Sequence, residues 1–163
     1  MELNDFNTAT PSEASELVRS CAHVDRWVEA LVAGRPYASV DEVVEAALTL
    51  AHPWTDDEVD SALARHPRIG EKARGQAAEA QMSRQEQSGV ATDAGTQARL
   101  AEGNAAYEAK FGHVFLIRAA GRSAEEILEQ LQQRLTNTPD TERRIAAEQL
   151  REIAALRLRG ALS

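Results

Sequence analysis

The sequence predicts an all-α fold: a single-domain bundle of about seven to eight helices with one short extended apolar segment, taking in residues 1–163. Three observations predict it. Alanine, leucine, glutamate and arginine recur throughout while aromatic residues make up only 4% of the chain, a balance suited to helices packed through small and aliphatic side chains. Helix-start patterns of the form Ser/Thr-x-x-Glu occur five times. A single β-type run, His113 to Ala119, has no second run with which to pair, so a sheet is not expected.

Taken in order, Thr10-Pro11-Ser12-Glu13 is a capping box with proline at the first helical position, and predicts a helix from Glu13 to about Ser20. A second helix is expected over Asp25 to Val32, with Trp27, Val28 and Leu31 inward, stopping at Gly34-Arg35-Pro36. Ser39-Val40-Asp41-Glu42 opens a third, in which Val40, Val43, Val44, Ala47, Leu48 and Ala51 fall at helical spacing before His52-Pro53 ends the run. Thr55-Asp56-Asp57-Glu58 starts a fourth, with Val59, Ala62 and Leu63 as its apolar side. It should finish at His66-Pro67, because proline disfavours the helical region for the residue before it.

Gly70 to Gln81 is charged and alanine-rich with almost no large apolar side chain, and reads as a mobile connection. Ser83-Arg84-Gln85-Glu86 is a further capping box from which a helix should begin; Gly89 and Gly95 blur its course as far as the pattern from Thr96 to Phe111. There Leu100, Ala101, Asn104, Tyr107, Glu108 and Phe111 share a face, Asn104 reading as a satisfied core amide. Gly112 stops this helix. The apolar run that follows is expected to lie as an extended segment between helices, its backbone groups either available to a polar ligand or satisfied by neighbouring loops. Ser123-Ala124-Glu125-Glu126 opens a helix with Ile127, Leu128, Leu131 and Leu135 inward. Thr138-Pro139 starts the last, whose apolar positions are Ile145, Leu150, Ile153, Ala154, Leu156 and Leu158.

The totals bound the function. A chain of 163 residues fits one domain and buries roughly two thirds of the surface its unfolded form exposes. The single cysteine, Cys21, forms no internal disulfide, and no cysteine and histidine spacing suits zinc, so a reducing compartment and no structural metal are expected. The opening residues carry neither a basic region nor a long apolar run, and the ending Gly160-Ala161-Leu162-Ser163 is no peroxisomal address, which together lead us to expect a cytoplasmic protein. A net charge of -8, from 18 basic and 26 acidic residues, argues against nucleic acid or an anionic membrane as a partner. An anionic small molecule would need a locally placed arginine.

The candidates for chemistry centre on His66-Pro67-Arg68-Ile69-Gly70, where an imidazole stands at a helix end beside a backbone lock. A nearby carboxylate would make it a usable acid/base; the alternative is an ordinary turn histidine. Glu86 has its own structural explanation, since a capping-box glutamate bonds back to the amide of its Ser83. Arg157, between Leu156 and Leu158, either snorkels to the surface or, if it points inward, needs an anion or carbonyl acceptors suited to its fork. His23, His52 and His113 are scattered without ligand spacing.

His66-Pro67-Arg68-Ile69-Gly70, Ser83-Arg84-Gln85-Glu86-Gln87, the Phe111-Gly112 to Arg122-Ser123 stretch and Glu152-Ile153-Ala154-Ala155-Leu156-Arg157-Leu158 together resemble the 2-oxo-4-hydroxy-4-carboxy-5-ureidoimidazoline (OHCU) decarboxylases of urate breakdown, in their bacterial form. The resemblance runs over essentially the whole chain, with four motifs in the same order. It implies an all-helical single domain and cofactor-independent decarboxylation of OHCU to (S)-allantoin. It also implies that His66 is the catalytic acid/base with Glu86 beside it. Substrate contacts are implied from Pro67, from Ser83, Arg84, Gln85, Glu86 and Gln87, from the backbone of Phe115, Leu116, Ile117, Arg118 and Ala119, and from Arg157. His113 stands where many relatives carry an aromatic residue, and position 118 varies, so only the backbone of Arg118 is carried over. A homodimer is the oligomer the resemblance favours. Two other readings stay open: a non-catalytic helical interaction module, with Glu86 as a cap and Val114 to Ile117 as a docking strip, and an enzyme of the same fold acting on another ureido or hydantoin compound.

Overall fold

The computed structural model describes residues 1–163 except 71–77, 89 and 91–92. Its described residues form nine helices and no strand: α1 (Leu3–Thr8), α2 (Pro11–Cys21), α3 (Asp25–Ala33), α4 (Val40–Leu50), α5 (Asp56–Leu63), α6 (Ala78–Gln87), α7 (Ala94–Phe111), α8 (Ala124–Arg134) and α9 (Pro139–Ala161). None of the described helices is long and apolar enough to cross a membrane. The chain divides into two compact units, Met1–Ala62 with Arg151–Ser163, and Leu63–Leu150.

In the first unit the predicted caps set most of the helix starts. Thr10 and Glu13 form the full reciprocal box at the start of α2. Thr55 and Glu58 do the same before α5, with Glu58 N–H donating to Thr55 Oγ1 at 3.1 Å and Thr55 N–H donating to Glu58 Oε1 at 2.9 Å. Ser39 accepts from Glu42 N–H, but the Glu42 carboxylate reaches past it to Ala38 N–H at 2.9 Å, so only half the box forms. Phe6, Val18, Trp27, Val28, Leu31 and Val43 are the centre of the core, each no more than 1% exposed. Trp27 donates from its indole to the Ala47 carbonyl at 2.9 Å and meets Trp54 edge-on, so the bulk of the ring is buried without stranding its polar atom.

Three expectations fail in this unit. The short helix α1 was not foreseen: its six residues carry one buried side chain, Phe6, and no side-chain cap, too little for periodicity to register. Leu48 is 43% exposed although it stands four residues after buried Val44 and so keeps the helical spacing of the stripe. Leu156 is 45% exposed whereas its neighbour Arg157 is 5% exposed. The inward positions of α9 from Leu150 onward include Leu150, Ile153, Ala154, Arg157 and Leu158, an i, i+3, i+4, i+7, i+8 series flanked by buried Ala155, and they leave Leu156 outside.

In the second unit the core cluster joins Ile69, Leu100, Tyr107, Phe115, Ile117, Ala119, Ile127, Leu128 and Leu131, with Val90, Phe111 and Leu135 against it. Helices α7 and α8 cross closely because position 103 is glycine: a Cβ there would run into Leu131. α7 begins two residues before the predicted Thr96, capped by Asp93, whose carboxylate accepts from Thr96 N–H at 2.7 Å and is held below the usual carboxylate range by that bond. It ends at Gly112, whose φ of 78° is the left-handed cap that glycine adopts without penalty. Ser123 caps α8 as expected. Of the proposed mobile connection from Gly70 to Gln81, residues 71–77 lie outside the described residues, and the end of it is already α6.

The Ser83 capping box is the main correction. α6 starts at Ala78 and ends at Gln87, so Ser83 sits in the middle of the helix, 4% exposed, and caps nothing. The same i, i+3 spacing that lets Ser and Glu close a box also places them on one face inside a helix.

Candidate functional site

The histidine turn is built by the end of α5 and the proline after it. α5 stops at Leu63, one turn earlier than the sequence suggested, and the His66 N–H still donates to the Leu63 carbonyl at 3.1 Å before Pro67 breaks the pattern. His66 and Pro67 are half-buried, Arg68 is exposed and Ile69 is buried in the core of the second unit. The turn closes on Gly70 at φ 92°, a left-handed conformation for which glycine is the fitting residue.

Helix α6 lies against this turn. Gly70 N–H donates to Gln87 Oε1 at 3.1 Å, and Arg65, at the other end, pairs with Glu79 at 3.2 Å. Two fastenings, one to each end of α6, bring the His66 motif and the Ser83–Gln87 motif together. Along α6, Ser83, Glu86 and Gln87 share a face at i, i+3 and i+4, with Ser83 buried and the other two half-buried. Arg84 is half-buried and Gln85 exposed. Since Ser83 is no cap, the capping explanation of Glu86 falls away.

The turn is held from a second side by α7. The Arg68 fork meets Glu108 through two bonds, at 2.6 and 3.1 Å, and Asn104 Nδ2 donates to the Ile69 carbonyl at 2.9 Å in a buried setting. Asn104 was expected as a satisfied core amide; its Oδ1 has no hydrogen-bond partner among the described residues.

The expected extended segment is present, irregular and buried: Phe115, Leu116, Ile117 and Ala119 are each at most 5% exposed, and Arg118 is half-buried. Ile69 of the turn and Phe115, Ile117 and Ala119 of the segment belong to one core cluster, which brings the third motif beside the first. Its backbone is partly engaged. Arg134 donates to the Leu116 carbonyl at 2.7 Å, Gln149 accepts from the Arg118 N–H at 2.9 Å, and Arg122 donates to the Arg118 carbonyl at 3.0 Å. Arg118 turns its own guanidinium to the Ala120 carbonyl at 2.9 Å.

Arg134 is the anchor, 4% exposed, and it is compensated where it stands. Its Nε donates to Glu142 Oε1 at 2.6 Å, and its guanidinium lies 4.5 Å from the Phe115 ring centroid. Glu142, wholly buried, also accepts from Tyr107 O–H at 2.6 Å and from Asn137 Nδ2 at 3.1 Å. Burial, the bond to Glu142 and that residue's charge together push the Tyr107 phenol far above its ordinary range. Sequence reasoning missed this group. An arginine at the end of one helix and a glutamate at the start of the next carry no periodic signal, whereas Asn104 stood out in the sequence as an amide inside an apolar stripe.

Arg157 is buried in the first unit, as its place on the α9 stripe dictates. A groove of about 310 Å³ between α7 and α8, lined by Arg99, Glu102, Ala106, Leu128 and Gln132 among others, contains none of the candidate residues. Among the described residues no group of histidine, cysteine and carboxylate side chains is arranged to hold a metal.

With this geometry in place, comparison with known proteins is informative. The family described as OHCU decarboxylase matches residues 7–159. The chain is 27% identical over 162 residues to the uric acid degradation bifunctional protein of Bacillus sp. (strain TB-90), an alignment taking in 97% of this chain and 32% of that protein. It is 46% identical over 66 residues to the 2-oxo-4-hydroxy-4-carboxy-5-ureidoimidazoline decarboxylase of Amia calva, 40% of this chain and 38% of that one. The aligned chain thus spans about a third of the length of these curated relatives. A crystal structure of OHCU decarboxylase in the presence of (S)-allantoin superposes with a TM-score of 0.72 at 27% identity, covering 88% of this chain and 94% of that one. A match over nearly its full length places the chain in the OHCU decarboxylase family.

Proposed function

We propose that the protein decarboxylates OHCU to (S)-allantoin without a cofactor, that both units act as one functional domain, and that it does so in the cytoplasm as a homodimer. The family match runs through both units. The observation that carries the reading is the gathering of three separate motifs in the second unit: the His66 turn is bonded to the face of α6 that holds Glu86 and Gln87, and shares a core with the Phe115–Ala119 segment.

The chemistry asks little of the protein beyond position and protons. In the substrate the carboxylate sits on a ring carbon next to a C=N bond. When the C–C bond to the carboxylate breaks, its electron pair moves toward that imine and carbon dioxide leaves. The 4-hydroxyl then gives up its proton as a carbonyl forms, and a ring carbon takes a proton on one face. His66 with Glu86 shuttles that proton, while Ser83, Gln87 and the backbone of Phe115 to Ala119 hold the ring and ureido group. Pro67, Arg84 and Gln85 complete the proposed contact set, Gln85 by its backbone, since its side chain is exposed. Arg157 belongs to the first unit, and its part rests on the resemblance; a carbonyl that gains negative charge is its proposed target.

The interaction-module reading needed Glu86 as a helix cap, and loses that support now that Ser83 lies inside α6. The deciding experiment generates substrate in place from urate with urate oxidase and hydroxyisourate hydrolase and follows the circular dichroism of allantoin. Rapid, one-handed (S)-allantoin from wild type and only the slow racemic background from His66→Ala is the expected result. Equal background rates from both proteins would overturn the decarboxylase reading.

A further inference from the structure

We propose that Asn104 is a positioning residue for this reaction: with Gln87 it clamps the single peptide unit between Ile69 and Gly70 and so fixes the turn that presents His66. This rests on the decarboxylase reading given above. The Ile69 carbonyl accepts from Asn104 Nδ2 at 2.9 Å, and the Gly70 N–H donates to Gln87 Oε1 at 3.1 Å. These are the two ends of one planar group, so holding both fixes the rotation of its plane.

The clamp matters because this peptide is the easiest one in the turn to flip. Gly70 sits at φ 92°, glycine tolerates either sign of φ, and a Cβ placed on it would meet nothing nearer than Leu100 at 3.9 Å. A flipped peptide would point its carbonyl at Gln87 Oε1 and its N–H at Asn104 Nδ2, acceptor against acceptor and donor against donor. Both amides therefore select the same state, and Ile69, three residues from His66, carries the choice into the catalytic turn.

The two halves of the clamp are not equivalent. Gln87 is half-buried on the face proposed to meet substrate, and with its Oε1 turned to Gly70 it presents Nε2 as the end that can donate to a ligand carbonyl. Asn104 is 4% exposed and lies outside every motif assigned to substrate. Its orientation is set by the Ile69 carbonyl, since the reversed amide would bring two oxygens together. The consequence is an Oδ1 with no partner among the described residues, a buried acceptor that an apolar residue of similar size would avoid. Asparagine here is thus explained by the donor it supplies to the Ile69 carbonyl and not by its oxygen.

The test is Asn104→Asp, which keeps size and replaces the donor with an acceptor, assayed with substrate generated in place. The expected result is a folded protein that binds allantoin with full stoichiometry and unchanged Kd, turns over about 10- to 100-fold more slowly, gives a displaced pH profile of kcat and loses handedness in the product. Unchanged kcat and pH profile would overturn the proposal. So would a loss of rate that merely tracks the folded fraction, with profile and handedness intact. If Asn104→Asp does not fold, Asn104→Leu, which removes the partnerless Oδ1 together with the donor, is read by the same outcomes. An inactive wild type would overturn the decarboxylase reading and this proposal with it, whereas an active wild type beside an unperturbed Asn104 variant would overturn this proposal alone.

Discussion

The turn at 66–70 and the extended stretch at 113–119 are both irregular backbone inside the second unit, and they are held by opposite means. The turn is fastened by two neutral amides at one peptide and by an ion pair, Arg68–Glu108, whose side chains are 48% and 25% exposed. The stretch is fastened by an arginine and a glutamate at 5% and 0% side-chain exposure, tied to a tyrosine and an asparagine. Neutral amides cost less to bury than ions do; buried charges hold firmly only while every member stays in place. The part carrying the histidine proposed as acid/base has the neutral fastening, and the part proposed to receive the substrate against its backbone has the charged one.

The difference is broken most severely by truncating the charged side. Arg134→Ala strands the Glu142 carboxylate in the core and frees the Leu116 carbonyl, and should cost about 3–5 kcal/mol in denaturant unfolding. Glu142→Ala should match it. Changes at the turn should fall well short: Asn104→Asp is expected to act mainly on turnover. A loss at Arg134 no greater than that for exposed ion pairs would show that the two fastenings do not differ in kind.

Much of this contrast lay outside the reach of the sequence. Pro67 made the end of α5 and the display of His66 legible, and Thr10-x-x-Glu13 and Thr55-x-x-Glu58 fixed two helix starts, because each depends on neighbours in the chain. Ser83-x-x-Glu86 has the same spelling but lies mid-helix, since what decides between cap and interior is where the helix begins, and α6 begins at Ala78. The burial of Arg157 was readable in principle from the stripe that starts at Leu150, but the apolar Leu156 beside it drew the assignment away. The meeting of Arg134 with Glu142 joins two helices across a break at Pro139 and has no local signature. Of the candidate site, the motifs were proposed through resemblance, and the clamp on the Ile69–Gly70 peptide is visible only in three dimensions.

The comparison is sharpened by pH. The folded state holds the Tyr107 proton more tightly than the unfolded chain does, through burial first and then Glu142. Stability from this group is therefore complete below the ordinary phenol range, and declines as pH rises past about 10, where the unfolded chain begins to lose the proton that the folded chain keeps. Alkaline titration of unfolding stability should show this fall in wild type, and Tyr107→Phe should lessen it, leaving the share of Tyr37, whose phenol burial also raises, while losing about 1–2 kcal/mol at neutral pH for the missing bond to Glu142. An identical alkaline limb in both proteins would assign the fall to another group.

The smallest effect is expected on the turn's outer fastening. Arg68→Ala removes a two-bond ion pair with Glu108, yet water already solvates both partners, so the loss should be no more than about 1 kcal/mol and should shrink further as salt is raised. Because Asn104 and Gln87 grip the peptide that begins one residue further along the chain, turnover should change less than for Asn104→Asp. Thermal unfolding at low and high salt, run beside steady-state rates, separates the two contributions. If Arg68→Ala lowered turnover as much as Asn104→Asp, the turn would be held as a whole by its surface charge, and the inner amides would no longer distinguish it from the stretch at 113–119.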